Sequence, residues 1–337
     1  MQYESFRASA YKNKYEIAIE TDSLRVSYGE LIKTTGGFYN SLCQMSLYGK
    51  TVAVFTGGCV QTVSAVFAAL KADCKCVVIS PAGNLERINK SLSVYRPDIA
   101  VVYGKHLERL APSLIAFGTS TAVVVGDDIP EQQYLPSVYS FDELVDINDY
   151  SVQTPSGKDG SIVFDAPSAE FLYTDAIENL GKRDGVLFDL PLYTEAAYRA
   201  LCNTLEGGKK CVFLKSPDKK TAKKKKIKLA VVANEKDYDC QMAFATSDEF
   251  YSIGGQILDI KQTEQYISEQ CGYPAKIAYD GHKLKLFVEL GRDADIAAVK
   301  SSPLAAALSG ICAEAFFAIN CTKSIVFKKE FDYNNTL

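Results

Sequence analysis

Histidine is nearly missing: His106 and His282 are the only two in 337 residues, and they lie far apart in the sequence. That leaves little material for a His-based triad, a His-rich metal site or a His acid/base pair. No stretch approaches the ~18 to 20 uninterrupted apolar residues of a membrane span. Met1 to Lys14 carries polar and charged residues where a leader peptide needs an apolar run. Secretion is therefore not expected, and the expected location is the cytoplasm. The ten cysteines are scattered from Cys43 to Cys321 without the dense spacing of a disulfide framework. They read as reduced thiols. Cys74 and Cys76 share one face of a strand, and with no second pair nearby they read as structural instead of metal-binding.

What is present is an ordinary globular composition, 47% apolar and 23% charged, enough for two or three compact units with sizeable cores. The formal charge of −4 hides an asymmetry, because Lys209 to Lys228 holds ten lysines and one acid, Asp218. A run such as Lys219 to Lys228 repels itself and marks an exposed loop or linker. Its functional alternative is a patch for a nucleic acid, a phospholipid head group or an acidic protein. No aromatic residues interleave the lysines, which makes nucleic acid the weakest of the three.

From Ile17 to Val125, short β-rich runs alternate with helical ones, the pattern of a parallel sheet covered by helices. Ile17 to Ile19 and Leu24 to Val26 flank the turn Thr21-Asp22-Ser23, and Ser27 to Glu30 reads as a capping box opening a helix through Leu42. Val52 to Phe55, Cys76 to Ile79, Ile99 to Tyr103 and Thr121 to Val125 are continuous apolar strands, with helices over 60–71 and 84–94. Thr56-Gly57-Gly58 sits at a strand-to-helix turn but matches neither G-x-G-x-x-G nor a P-loop, so a tight turn accounts for it better than a phosphate site. Asp146 to Gly160 is polar and turn-rich, a connection within the first domain. A strand over 161–164, a helix over 170–179, a strand over 186–188, a helix over 194–205 and strands over 211–214 and 229–232 follow. From Ser247 the pattern becomes α+β. It has a strand and helix over 257–270, a hairpin of Ala275 to Tyr279 with Leu284 to Val288 about Asp280-Gly281, a helix over 304–319 and a strand over 324–328.

The order of these blocks resembles the adenylate-forming superfamily, which includes acyl-CoA synthetases and the adenylation domains of nonribosomal peptide synthesis. Ile17-Ala18-Ile19 with Leu24 to Leu31 is similar to the family's "A-I…L-T-Y-x-E-L" opening. Gly49 to Val54 resembles "G-D-x-V-A-V-x-x", and Val66 to Ala72 resembles "A-x-L-A-x-L-K-A-G". Cys76 to Pro81 stands where the family has "Y-V-P-L-x-P", and Asp184 to Leu192 where it has "D-x-x-L-x-x-L-P-L". Asp248 to Glu264 resembles "D-x-x-I-K-I-x-G-x-R-I-x-x-x-E-I-E". The fold class this implies is α/β: a doubly wound, mostly parallel sheet like the first half of an adenylate-forming enzyme, plus a small α+β C-terminal domain. The expected boundaries are an N-terminal domain over 1–235, a linker over 236–247 with Asp248 as the hinge residue, and a C-terminal domain over 248–337.

The departures from the family pattern bear on activity. Its phosphate loop, "T-S-G-[ST]-T-G-x-P-K-G", should follow Ile162-Val163-Phe164, where this chain has Asp165-Ala166-Pro167-Ser168-Ala169-Glu170. That segment has no glycine and no lysine but two carboxylates, which repel the phosphates of ATP. Neither "Y-G-x-T-E" nor "T-G-D" is found, Thr246 stands where the resemblance implies a hinge arginine, and the C-terminal catalytic lysine would fall beyond Leu337. Leu214 to Ser247 is too short for the family's second α/β half and barrel, so an apolar face without its cover is expected. A noncatalytic module follows, with no cofactor and no catalytic residue, binding a second copy, a synthetase or a carrier protein whose acidic surface would meet the lysine run. The competing expectation is a ligase or an acyl- or nucleotide-binding enzyme with ATP and Mg²⁺. Its candidate groups are Asp165, Ser168, Asp189 and Tyr193.

Overall fold

Ser27 accepts a hydrogen bond from the Glu30 backbone while the Glu30 carboxylate takes the Ser27 N–H at 2.7 Å, so the capping box expected from the sequence is present. The computed structural model describes residues 3–55, 59–81, 85–126, 135–145, 160–164, 170–171, 177, 180–181, 184–190, 192–214, 217–232, 240–246, 250–253, 256–279, 283–291, 294–300, 302–316 and 322–329. The chain divides into two units after Thr246.

The first unit opens with α1 (Tyr3–Lys12), β1 (Ile17–Glu20), β2 (Arg25–Ser27), α2 (Tyr28–Gln44), β3 (Thr51–Phe55), α3 (Val60–Lys71), β4 (Lys75–Val78) and α4 (Leu85–Tyr95). It continues with β5 (Ile99–Tyr103), α5 (Gly104–Ala116), β6 (Thr121–Val125), β7 (Ser137–Ser140), α6 (Phe141–Leu144), β8 (Ser161–Phe164) and β9 (Glu170–Phe171). The last elements are β10 (Gly185–Phe188), α7 (Glu195–Glu206), β11 (Lys210–Val212), α8 (Lys219–Lys224), β12 (Ile227–Val232) and β13 (Gln241–Thr246).

Two sheets organise these elements. The first has six strands in the order β7-β6-β5-β3-β4-β8, every neighbouring pair parallel. Alternate strand residues Ala53, Phe55, Val77, Ala100 and Val102 meet Ile88 and Leu92 of α4 and Leu107, Leu110 and Leu114 of α5 in one core. Strand period 2 faces helix period 3.6 there, and each large side chain fully buried contributes roughly 1.5 to 3 kcal/mol. The second sheet has seven strands in the order β2-β1-β11-β10-β12-β13-β9, mixed at its edges. Helix α3 is buried on nearly every face, which suits a helix enclosed between layers. Its Phe67 stacks on Phe6 of α1 at 4.3 Å between ring centroids and meets Tyr198 of α7 at 6.5 Å.

The second unit comprises β14 (Phe250–Ile253), β15 (Gln256–Asp259), α9 (Ile260–Cys271), β16 (Ala275–Tyr279), β17 (Lys283–Glu289), α10 (Ile296–Lys300), α11 (Pro303–Ala315) and β18 (Thr322–Lys328). The strand β17 pairs antiparallel with β16 and parallel with β18, and Ile277, Leu284, Leu286 and Val288 pack on Ile267, Leu308 and Phe316.

The α/β class with a large parallel sheet and a small α+β unit is thus observed, but four expectations need correction. The chain does build a second sheet, because β1 and β2 from the start of the chain join β9 to β13 from its middle. The segment 236–247, expected as a linker, contains β13, which pairs in parallel with β12 over Gln241 to Phe244. The lysine run is not a loop: Asp218 caps α8 by accepting from Thr221 at 2.7 Å, and the run then leads directly into β12. The helix expected over 170–179 begins instead as β9, antiparallel to β13. Among the described residues the exposed large apolar side chains are Tyr11, Tyr15, Leu24, Val94, Ile115 and Tyr139, all in the first unit. Asp165 to Ser168, the hinge residue Asp248, the turn Asp280-Gly281 and His282 lie outside the described residues. No helix among the described residues is long and apolar enough to cross a membrane.

Candidate functional site

In the six-stranded sheet, β3 connects through α3 to β4 on one side, whereas β5 connects through α5 to β6 on the other. The adjacent ends of β3 and β5 are therefore a topological switch point, where open α/β sheets leave a crevice at the carboxyl ends of their strands. Four side chains gather there. Cys59 is the N-cap of α3: its thiol accepts from the Thr62 N–H at 3.4 Å and lies 3.0 Å from the Thr62 hydroxyl. Tyr103 closes β5 at the N-cap position of α5, and its hydroxyl is near enough to the Cys59 and Thr62 side chains for both to act on its protonation. His106, one turn into α5, meets the Tyr103 ring edge-on at 6.4 Å.

Burial sets the protonation of this cluster. It pushes the Tyr103 hydroxyl well above the usual tyrosine range, with the Cys59 side chain adding to the effect. It brings His106 down to about 4, helped by the charges of Lys105 and Arg109, so the imidazole is neutral at pH 7. The cluster offers a thiol, two hydroxyls and a neutral imidazole, which can hydrogen-bond a polar ligand but bring no charge of their own to a phosphate.

The candidates from sequence fall at several places. Asp189 follows β10 and donates its backbone N–H to Val231 at 3.0 Å. Tyr193 lies in the same loop but is buried in the core, so it is not a surface residue. Asp165 and Ser168 lie in the segment after β8, an edge strand of the other sheet, paired with β4. His106 proves to be a buried residue of α5. Sequence alone did not single out Cys59, Thr62 and Tyr103. The signal available was the Cys-x-x-Thr spacing after Gly57-Gly58, where a helix N-cap is expected.

No protein-family model matches the chain, and no curated protein matches it in sequence. Solved structures do match in fold. The coronafacic acid ligase of Pectobacterium brasiliense, as its R395G mutant, is 10% identical with a TM-score of 0.57, over 100% of this chain and 96% of its own. This is the adenylate-forming fold. The luciferase-like enzyme of the nonluminescent mealworm Zophobas morio is 17% identical with a TM-score of 0.57; the match takes in 68% of this chain but only 59% of that enzyme. A benzoate CoA ligase of Burkholderia xenovorans LB400 is 12% identical with a TM-score of 0.54, over 98% of this chain and 97% of its own.

Proposed function

We propose that the chain is a degenerate relative of the adenylate-forming enzymes and works without catalysis, as a protein-interaction or regulatory module. The observation that carries this proposal is the segment after β8, which starts at the carboxyl edge of the parallel sheet and reads Asp165-Ala166-Pro167-Ser168-Ala169-Glu170. An ATP–Mg²⁺ group would need glycine backbone and a lysine there, and this donor set supplies carboxylates, so it does not fit the phosphates. The neutral cluster of Cys59, Thr62, Tyr103 and His106 does not replace the missing cation. The partner is a synthetase, a carrier protein or a second copy of the chain, with exposed lysines of α8 facing an acidic surface.

Calorimetry with ATP and Mg²⁺, with light scattering on the same sample, tests this. The expected result is no binding heat, together with a dimer or a stable complex with an acidic carrier protein. Tight magnesium-dependent binding overturns it in favour of a second reading, an adenylate-forming ligase or an acyl- or nucleotide-binding enzyme. That second reading draws on the likeness to coronafacic acid ligase, which extends over both units. Its polar groups would be Asp165, Ser168, Asp189 and Tyr193.

A further inference from the structure

A cleft of about 300 Å³ opens beside the β1–β2 hairpin, at the end of the seven-stranded sheet where β11 and β12 begin. It is lined by Glu16, Ile17, Glu20, Arg25, Lys210 and Lys224 to Lys226. Glu20, only 2% exposed, binds three cations: Lys210 at 2.7 Å, Lys225 at 3.0 Å and Arg25 at 3.0 Å. Burial alone would push the Glu20 carboxyl up. The hydrogen bonds and charges of Lys210, Lys225 and Arg25 outweigh it and hold the group ionised. One carboxylate therefore faces three basic side chains in a partly desolvated place, and a surplus of positive potential is left over.

The residues that carry that surplus line the cleft. The Lys210 ammonium also donates to the Lys225 carbonyl at 2.8 Å, and the Lys225 ammonium to the Thr21 carbonyl at 3.0 Å. Each ammonium has three N–H donors, so each keeps one for a further acceptor. Both side chains are largely buried, 13% and 15% exposed, and their rotamer entropy is already spent on the Glu20 contacts. The backbone prepares the site as well. A Cβ on Gly185, the first residue of β10, would stand 2.9 Å from Val212 Cγ2 and 3.1 Å from Lys210 Cε, so glycine leaves room for both side chains. Lys226 adopts φ +54° just beyond the C-cap of α8, and it lines the cleft together with Lys224 and Lys225. Lys224 and Lys226 form no ion pair among the described residues, and the lining carries five cations against two carboxylates.

We infer that this cleft binds a small free anion carrying one or two phosphate groups, with Lys210 and Lys225 as direct ligands and Lys224, Lys226 and Arg25 as the surrounding field. A concave site with buried, pre-oriented donors suits a compact phosphate better than the broad face of a protein. The cleft lies at strand beginnings of the seven-stranded sheet, whereas the switch point belongs to the six-stranded one. The inference therefore does not depend on the noncatalytic proposal.

Calorimetry of the full chain with magnesium-free inorganic pyrophosphate, against inorganic phosphate and against NaCl matched in ionic strength, provides the test. The expected result is saturable one-to-one binding, tighter for pyrophosphate than for phosphate and weakened by salt. Lys225→Met is expected to weaken binding about tenfold or more. Because that change also disturbs the Glu20 cluster, a Lys224→Gln/Lys226→Asn pair serves as the second variant. It should keep the fold by circular dichroism and lose about three- to tenfold in affinity. Lys220→Gln/Lys223→Gln removes the same charge from α8 outside the cleft and should stay within about twofold. No saturable binding by the wild-type chain overturns the inference. So does an equal loss in the α8 control, which would mean diffuse attraction to a polycation.

Discussion

Glu20, the last residue of β1, holds the ammonium of Lys225 at 3.0 Å across 205 residues of chain. The same carboxylate takes Lys210 at 2.7 Å, so a hairpin near the start of the chain is tied to both strands that begin beside it. In this way Lys210 and Lys225 of the lysine-rich stretch are drawn onto the sheet, while Lys220, Lys223 and Lys228 stay exposed.

Acid should release this tie. The Glu20 carboxyl is held at about 2, against an ordinary 4.5. A lowered folded value contributes stability that is complete above the ordinary value and disappears as pH falls towards 2. The gap corresponds to roughly 3 kcal/mol. Urea unfolding of the wild-type chain and Glu20→Gln at pH 6 should show a large difference that shrinks by pH 2.5. A difference independent of pH would contradict the ionised, triply bonded carboxylate.

His106 should titrate far below a free imidazole. Its folded value of about 4 lies under the ordinary 6.5, so the unfolded chain binds more protons between the two and stability falls as pH drops through that window. With only two histidines, proton NMR can follow both imidazoles directly. One is expected to titrate near 4 and to lose that transition in His106→Gln. Two ordinary titrations near 6.5 would show that His106 is not buried as described.

Gly160 tolerates no side chain. A Cβ there would lie 2.1 Å from the Cys74 carbonyl oxygen and 2.8 Å from its nitrogen, both backbone atoms that cannot move aside. Gly160→Ala is expected to cost about 3 kcal/mol or more, or to prevent folding. Gly118, at φ +90° with open space around it, supplies the contrast: alanine there meets only backbone strain, about 1 kcal/mol. Equal stabilities by chemical denaturation would rule out the close approach of Gly160 to Cys74.

The thiols should separate by burial. Cys76 and Cys211 are fully buried and their thiols pushed up by desolvation, and Cys202 is raised to about 12. Cys43, Cys59, Cys240 and Cys271 are partly exposed. Alkylation of the native chain followed by peptide mapping should label the second group and spare the first until denaturant is added. Native labelling of Cys76, a residue of β4, would contradict the six-stranded sheet.

The parallel strands and their helices were legible because burial on both faces imposes continuous apolar runs, as in Val52 to Phe55 and Ile99 to Tyr103. The cap at Ser27 was legible because a helix start is a local hydrogen-bonding problem. The second sheet was not, since β1 pairs with β11 about 190 residues later and nothing in either short strand names its partner. The lysine run was misplaced for a related reason. Its charge argued for exposure, but Lys210 and Lys225 are held by a buried acid from β1 that local pattern cannot supply. The meeting of Cys59, Thr62 and Tyr103 depends likewise on β3 and β5 being adjacent although α3, β4 and α4 separate them in sequence. Local geometry, periodicity and the chemistry of the segment after β8 are properties of neighbouring residues and can be read along the chain. Which strands share a sheet, which cations share a carboxylate and where a cleft opens are set by long-range pairing, and only the folded chain decides them.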